Sequence, residues 1–193
     1  PVTTVVAETG LSETEVKEVL GLPANLDVKT FNPFKENKTV EEESLALAAE
    51  KVALKVHTTI STIQASAKGA GLDVADAFAT AIEAVADVVK EQSSAGLKAD
   101  LSDTSVIDKV VAKTSTKMTE KLIAKGVDAV TAAANVKAAD AVLVSAKAQI
   151  ATINTSTDSI TKFDKNEFGA VAKLAEKSKK EAAEAVTAEK TAP

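Results

Sequence analysis

The chain has no cysteine, tryptophan or tyrosine, and all 23 of its basic residues are lysine, with no arginine at all. Without cysteine there are no disulfides, no thiolate nucleophile and no Cys-ligated zinc or iron–sulfur centre. The missing arginine removes the planar fork that grips phosphates and guanine edges. Five phenylalanines, 3% of the residues, are the only aromatics, and the net charge is −5. An acidic surface with so few rings to stack bases argues against nucleic acid as a partner. No apolar run is read as approaching the ~20 residues of a bilayer span, so the chain is expected not to be membrane-spanning. Pro1-Val2-Thr3-Thr4 shows neither an initiating Met nor a leader. The expectation is a cut within a longer chain.

What remains is 45% hydrophobic and 26% charged over 193 residues, enough to bury the core of a single domain. That core must be built from Ala, Val, Leu and Ile. Alanine brings helix axes close but buries little area per residue, so stability for the length is expected to be modest.

Punctuation and spacing predict an all-α fold: a helical bundle of about four long helices plus one or two short N-terminal ones. Gly10, Gly21, Gly69, Gly71, Gly96 and Gly126 each follow a helical stretch, where a left-handed cap belongs. Ser12 with Glu15 forms a capping box for a short helix to Leu20, and Gly21-Leu22-Pro23 ends it. Residues 24–38 read as irregular around Asn32-Pro33. Thr39 with Glu42 is a second box, opening the longest helix to about Ala67. Along it Leu45, Ala49, Val52, Val56, Ile60, Ile63 and Ala67 form a core-facing stripe. Asp73 caps a helix bearing Val74, Phe78, Ile82, Val85 and Val89. Ser102 or Asp103 starts another, with Val106, Val110, Met118 and either Leu122 or Ile123 inward.

From Asp128 to about Ile153 the chain is apolar nearly all round, with Lys137, Asp140, Lys147 and Asn154 as its polar strip. Such a helix is expected at the bundle centre, as its most buried element. Asp164 with Glu167 opens the last helix. Three segments of one domain follow: 1–38 packing on the bundle, 39–176 forming its core, and 177–193 as an exposed helical tail or linker. Glu176–Lys180 and Lys180–Glu184 can pair along that tail at i,i+4.

Few residues invite chemistry. His57, the one histidine, lacks the Glu-x-x-His partner of a di-metal bundle, because position 54 is Leu. Haem ligation by His57 and Met118 is the alternative weighed against a boundary position beside the apolar stripe. Asp73 with Asp76 and Asp100 with Asp103 offer oxygens to calcium, yet capping explains aspartate at helix starts. Lys177, Lys179 and Lys180 cluster between Glu176 and Glu181, as a solvated face does. Asn37-Lys38-Thr39 and Asn154-Thr155-Ser156 match the glycosylation sequon. Phe31-Asn32-Pro33-Phe34 reads as a plug closing one end of the core rather than an exposed docking patch. No catalytic residue, metal ligand or cofactor is assigned.

The order Thr3-Thr4-Val5-Val6, Gly10-Leu11-Ser12, Glu15-Val16, Leu20-Gly21-Leu22-Pro23, Asp27, Asn32-Pro33, then Ala46-Leu47-Ala48-Ala49-Glu50-Lys51-Val52, resembles a helical domain that recurs in very large bacterial surface proteins. These include RTX-type adhesins and proteins with cadherin-like or immunoglobulin-like repeats. The likeness is best over residues 1–60, and Asn32-Pro33 stands where such domains usually have Asp-Pro. It implies an extracellular or cell-surface location and a non-enzymatic role in adhesion. Its implied partners are neighbouring domains of a longer chain and another surface protein. It transfers no binding or catalytic residue. The function expected is a spacer, cap or protein-binding module; the alternative is a carrier of an apolar ligand, lipid or haem, in the bundle core.

Overall fold

The computed structural model describes residues 1–191, with side chains through Glu189. Its described residues form helices and no strand: α1 (Val2–Thr9), α2 (Glu13–Leu20), α3 (Val40–Gly69), α4 (Val74–Ser94), α5 (Thr104–Ala124), α6 (Ala129–Asp158) and α7 (Lys165–Thr191). The all-α class holds. Five of the helices are long, rather than about four, because the stretch from Lys165 onward continues as one helix.

Local chemistry starts every element after α1. Ser12 Oγ accepts from the Glu15 amide at 3.3 Å, and the Glu15 carboxylate accepts from the Ser12 amide at 2.9 Å. Thr39 and Glu42 make the same reciprocal pair at 3.2 and 2.8 Å. Each box satisfies two amides that the first turn would leave unpaired. Asp73, Asp103 and Asp128 cap α4, α5 and α6 through their carboxylates. Gly10 and Gly21 end α1 and α2 at φ 67° and 73°, a region costly for any side chain.

The short connections after α3, α4 and α5 turn the chain back on itself, so α3 to α6 run alternately up and down. Cross-helix ion pairs record the register: Lys121 to Glu83 at 2.8 Å joins α5 to α4, and Lys147 to Asp108 at 2.6 Å joins α6 to α5. α7 then returns antiparallel to α6 and parallel to α3. His57 lies near Glu176, and Gly69, twelve residues on, lies against Val186.

Helix α3 is the centre. It packs on α1, α4, α5, α6 and α7, and from Thr58 to Ile63 every residue is buried. Its stripe is as expected, with Val52, Val56, Ile60, Ile63 and Ala67 buried and Leu45 and Ala49 half-buried. The expectation that the Asp128–Ile153 segment holds the centre is therefore corrected. α6 does bury Val136, Val142, Leu143 and Ile150. Its other side is open, with Val130 81% and Val144 59% exposed. The cause is alanine, which counts as apolar but has little area to hide and favours helix wherever it sits. The reading of apolar length is corrected too. By length and composition α6 lies in the range of a membrane span, although its inner face belongs to the bundle core.

Two further expectations change. Val74 and Phe78 are 57% and 44% exposed; α4 instead buries Ala77, Ala81, Ile82, Ala84, Val85, Val88 and Val89. The stretch 177–193 is not a wholly exposed tail. Ser178, Ala182 and Val186 continue the buried stripe of Phe168, Val171 and Ala175 along α7. The part of that stretch beyond Thr191 lies outside the described residues. Of the α5 alternatives, Leu122 points inward and Ile123 outward.

Candidate functional site

His57 stands on the open side of α3, 48% exposed, with Nε2 3.6 Å from Glu176 Oε1 on α7. Met118 is fully buried on α5. One at the surface and the other in the core, they are not brought together as two ligands of one group. The residue pairs weighed for calcium are occupied by lysine. Lys125 Nζ lies 2.5 Å from both Asp73 and Asp76, and this contact holds the Asp73 carboxyl down at about 2. Asp100 shares Lys55 with Asp158, at 3.2 and 2.9 Å, while Asp103 is spent on the Ser105 amide. These are clasps between helices: Lys125 ties the end of α5 to the start of α4, and Lys55 ties α3 to the end of α6.

Lys179 meets Glu176 at 3.4 Å, Lys177 meets Glu181 at 3.6 Å and Lys180 meets Glu184 at 3.8 Å, as a solvated helix face does. The expected Glu176–Lys180 pair gives way to Glu176–Lys179. Of the two sequons, Asn37 is in the exposed loop before α3 with φ 51°. Asn154 is fully buried, its side-chain amide donating to the Leu101 carbonyl at 2.7 Å, and no glycan fits there in the folded chain.

The Phe31–Phe34 segment divides its two rings. Phe31 is half-buried against the main core. Phe34, 46% exposed, meets Phe163 edge to face with centroids 5.6 Å apart, and Phe163 leans on buried Phe168 at 5.7 Å. Lys38 sits over the Phe163 ring at 4.5 Å. Three aromatics from two distant segments thus close the end of the bundle where α3 and α7 begin, and the plug is larger than the sequence segment alone.

Two features carry no signature in a linear reading. One is a groove of about 170 Å³ lined by Val2, Leu22, Leu26, Phe31, Ala53 and Glu50. Burial among these groups pushes the Glu50 carboxyl up, partly offset by the field of the Pro1 amine. The other is a buried hydroxyl seam. Thr58, Thr59, Thr62 and Ser66 on α3, Thr80 on α4, Thr114 on α5 and Thr157 on α6 have little or no exposed surface. Thr114 and Thr157 return their hydroxyls to the carbonyl one turn back. The hydroxyls of Thr58, Thr62 and Thr80 have no partner among the described residues.

The arrangement defines an all-α bundle wound on a central helix, its surface carboxylates largely engaged by lysines or helix amides. Comparison with protein-family models, with curated proteins and with solved structures returns no match.

Proposed function

We propose that the chain is a structural or interaction module of a large extracellular adhesin-like bacterial protein, acting as spacer, cap or protein-binding domain without enzymatic activity. The observation that supports it most is the closeness of the packing around α3. A Cβ added at Gly69 would stand 2.7 Å from Val186 Cβ, so α3 and α7 touch backbone to side chain with no room between them. Val56, Ile63, Ala67, Val85, Leu143 and Ile150 have essentially no exposed surface. A filled interior suits a part that transmits position and force rather than one that opens around a ligand. The resemblance over residues 1–60 supplies the setting, with neighbouring domains and another surface protein as partners.

The second reading, a carrier of lipid or haem, draws on the apolar groove beside Glu50. At about 170 Å³ it falls below the ~300–1,000 Å³ that drug-sized ligands occupy, and neither His57 nor Met118 lines it. Native mass spectrometry separates the two readings. The purified chain is expected at its bare mass, with a thermal midpoint unmoved by haem or a long-chain fatty acid. A stoichiometric bound molecule, or a midpoint raised by several degrees, would overturn the spacer reading in favour of the carrier.

A further inference from the structure

Among the described residues, the half-buried glutamates are faced by lysine, with one exception. Glu13 meets Lys17 and Lys29, Glu42 meets Lys35, and Glu83 meets Lys117 and Lys121. Glu50, also half-buried, has no hydrogen bond or ion pair among the described residues. It lies in the groove between the start of α1, the segment after α2 and the first half of α3. Burial raises its carboxyl, and the Pro1 amine, standing beyond ion-pair distance, offsets this only in part. The walls around it are mostly apolar, with Leu22 and Leu26 buried and Phe31 and Ala53 half-buried. A carboxylate without a counter-charge among such groups is costly, and a cation arriving in the groove removes that cost.

We infer that the groove receives a lysine side chain of a partner protein, with its ammonium against Glu50 and its methylenes along Leu22, Leu26 and Phe31. This deepens the protein-binding form of the proposed function and rests on it. The sign of the charge selects a cation and disfavours fatty acids and haem, whose carboxylates would face Glu50. The size selects a single side chain. About 170 Å³ is below the ~300–1,000 Å³ of drug-sized ligands, so a free molecule that fits has few atoms to contribute affinity. A lysine on a partner does not depend on the groove alone, because the residues beside it can cover half-buried Val28 and Pro33. Lysine also suits the shape better than arginine. Its four-carbon stem lies along apolar walls and ends in a compact charge, while a guanidinium needs a planar partner for its fork.

Methyl-group NMR of the whole chain tests it, by titration with acetyl-Ala-Lys-Leu-amide and with a twin carrying norleucine in place of lysine. Signals of Val2, Leu22, Leu26 and Ala53 are expected to move with the lysine peptide. The norleucine twin keeps the apolar stem without the charge and is expected to bind about fivefold more weakly. Glu50→Gln is expected to abolish that difference between the peptides, with helicity kept and the thermal midpoint kept or raised. No movement at about 20 mM peptide overturns the inference. Equal binding of the twin does so too, as does a difference that survives Glu50→Gln. Binding of n-pentylamine as tight as that of the lysine peptide overturns it in favour of a site for free amines. Native mass spectrometry of the same sample keeps the two claims apart. Retained lipid or haem sinks the module reading, whereas a bare chain blind to lysine sinks this inference alone.

Discussion

Thr58, Thr62 and Thr80 hold hydroxyls in the interior without a partner among the described residues, an arrangement that a bundle of Ala, Val and Ile has little means to offset. A buried hydroxyl without a hydrogen bond costs about 1–3 kcal/mol relative to one that is satisfied. Valine has nearly the same shape and no polar group to desolvate. Thr58→Val, Thr62→Val and Thr80→Val are each expected to raise stability by about 1 kcal/mol in urea titration. A loss of that size at all three would mean the hydroxyls are satisfied in solution and hold the seam together. Asn154 behaves differently, because its amide already serves the Leu101 carbonyl, so Asn154→Ala is the control expected to destabilise.

At the scale of elements, the sequence is most readable where side chains act on their own backbone. Both capping boxes and the aspartate caps lie where residue spacing puts them, because a cap is a contact over three or four residues. Orientation is less readable. Leu122 and Ile123 are equally apolar and only the neighbours α4 and α6 decide between them. α6 looks central because its alanines cannot be distinguished by composition as inside or outside. α3 does not look central because Thr58, Thr59, Ser61, Thr62 and Ser66 are polar and lie off its apolar stripe, yet α1, α4, α5, α6 and α7 all pack on it. The site-like features followed the same rule: the Lys125 and Lys55 clasps join segments far apart in sequence, and no local pattern announces them.

The end of α7 was similarly hidden. Its buried stripe past Lys177 consists of Ser178, Ala182 and Val186, residues with little apolar area for docking a helix. Gly69 resolves this, since a missing side chain on α3 lets Val186 come within contact of the backbone. Burying one valine side chain contributes about 1.5–3 kcal/mol, and in a chain of this length each kcal/mol moves the midpoint by about 2–4 °C. Deleting residues 182–193 is therefore expected to lower the thermal midpoint by about 5 °C or more. A midpoint within 1 °C of wild type would return this segment to the status of an exposed linker. Val186→Ala with the tail intact should give a smaller drop of the same sign.

At the scale of the whole molecule, stability is shared between a filled core and a shell of lysine–carboxylate contacts, and the shell makes it sensitive to acid. Lys125 beside Asp73 holds that carboxyl at about 2, well below its ordinary value. Hydrogen bonds from Ser12 lower Glu15, Lys35 lowers Glu42, and Lys109 lowers Glu91. Each of these groups releases its proton more readily folded than unfolded. Their contributions are therefore complete above the ordinary carboxylate range and are lost as pH falls through the folded values. Glu50, raised by burial, acts in the opposite sense and relieves a cost as it protonates. Thermal midpoints should accordingly change little from pH 7 to about 5 and fall steeply between about 4.5 and 2. Asp73→Asn keeps an efficient cap but loses the charge facing Lys125, which isolates the electrostatic part. The variant should be less stable than wild type at pH 7, and the difference should close as pH approaches 2, where Asp73 takes up its proton. A difference that stays constant from pH 7 to 2 would show that the clasp contributes through packing or capping and not through charge.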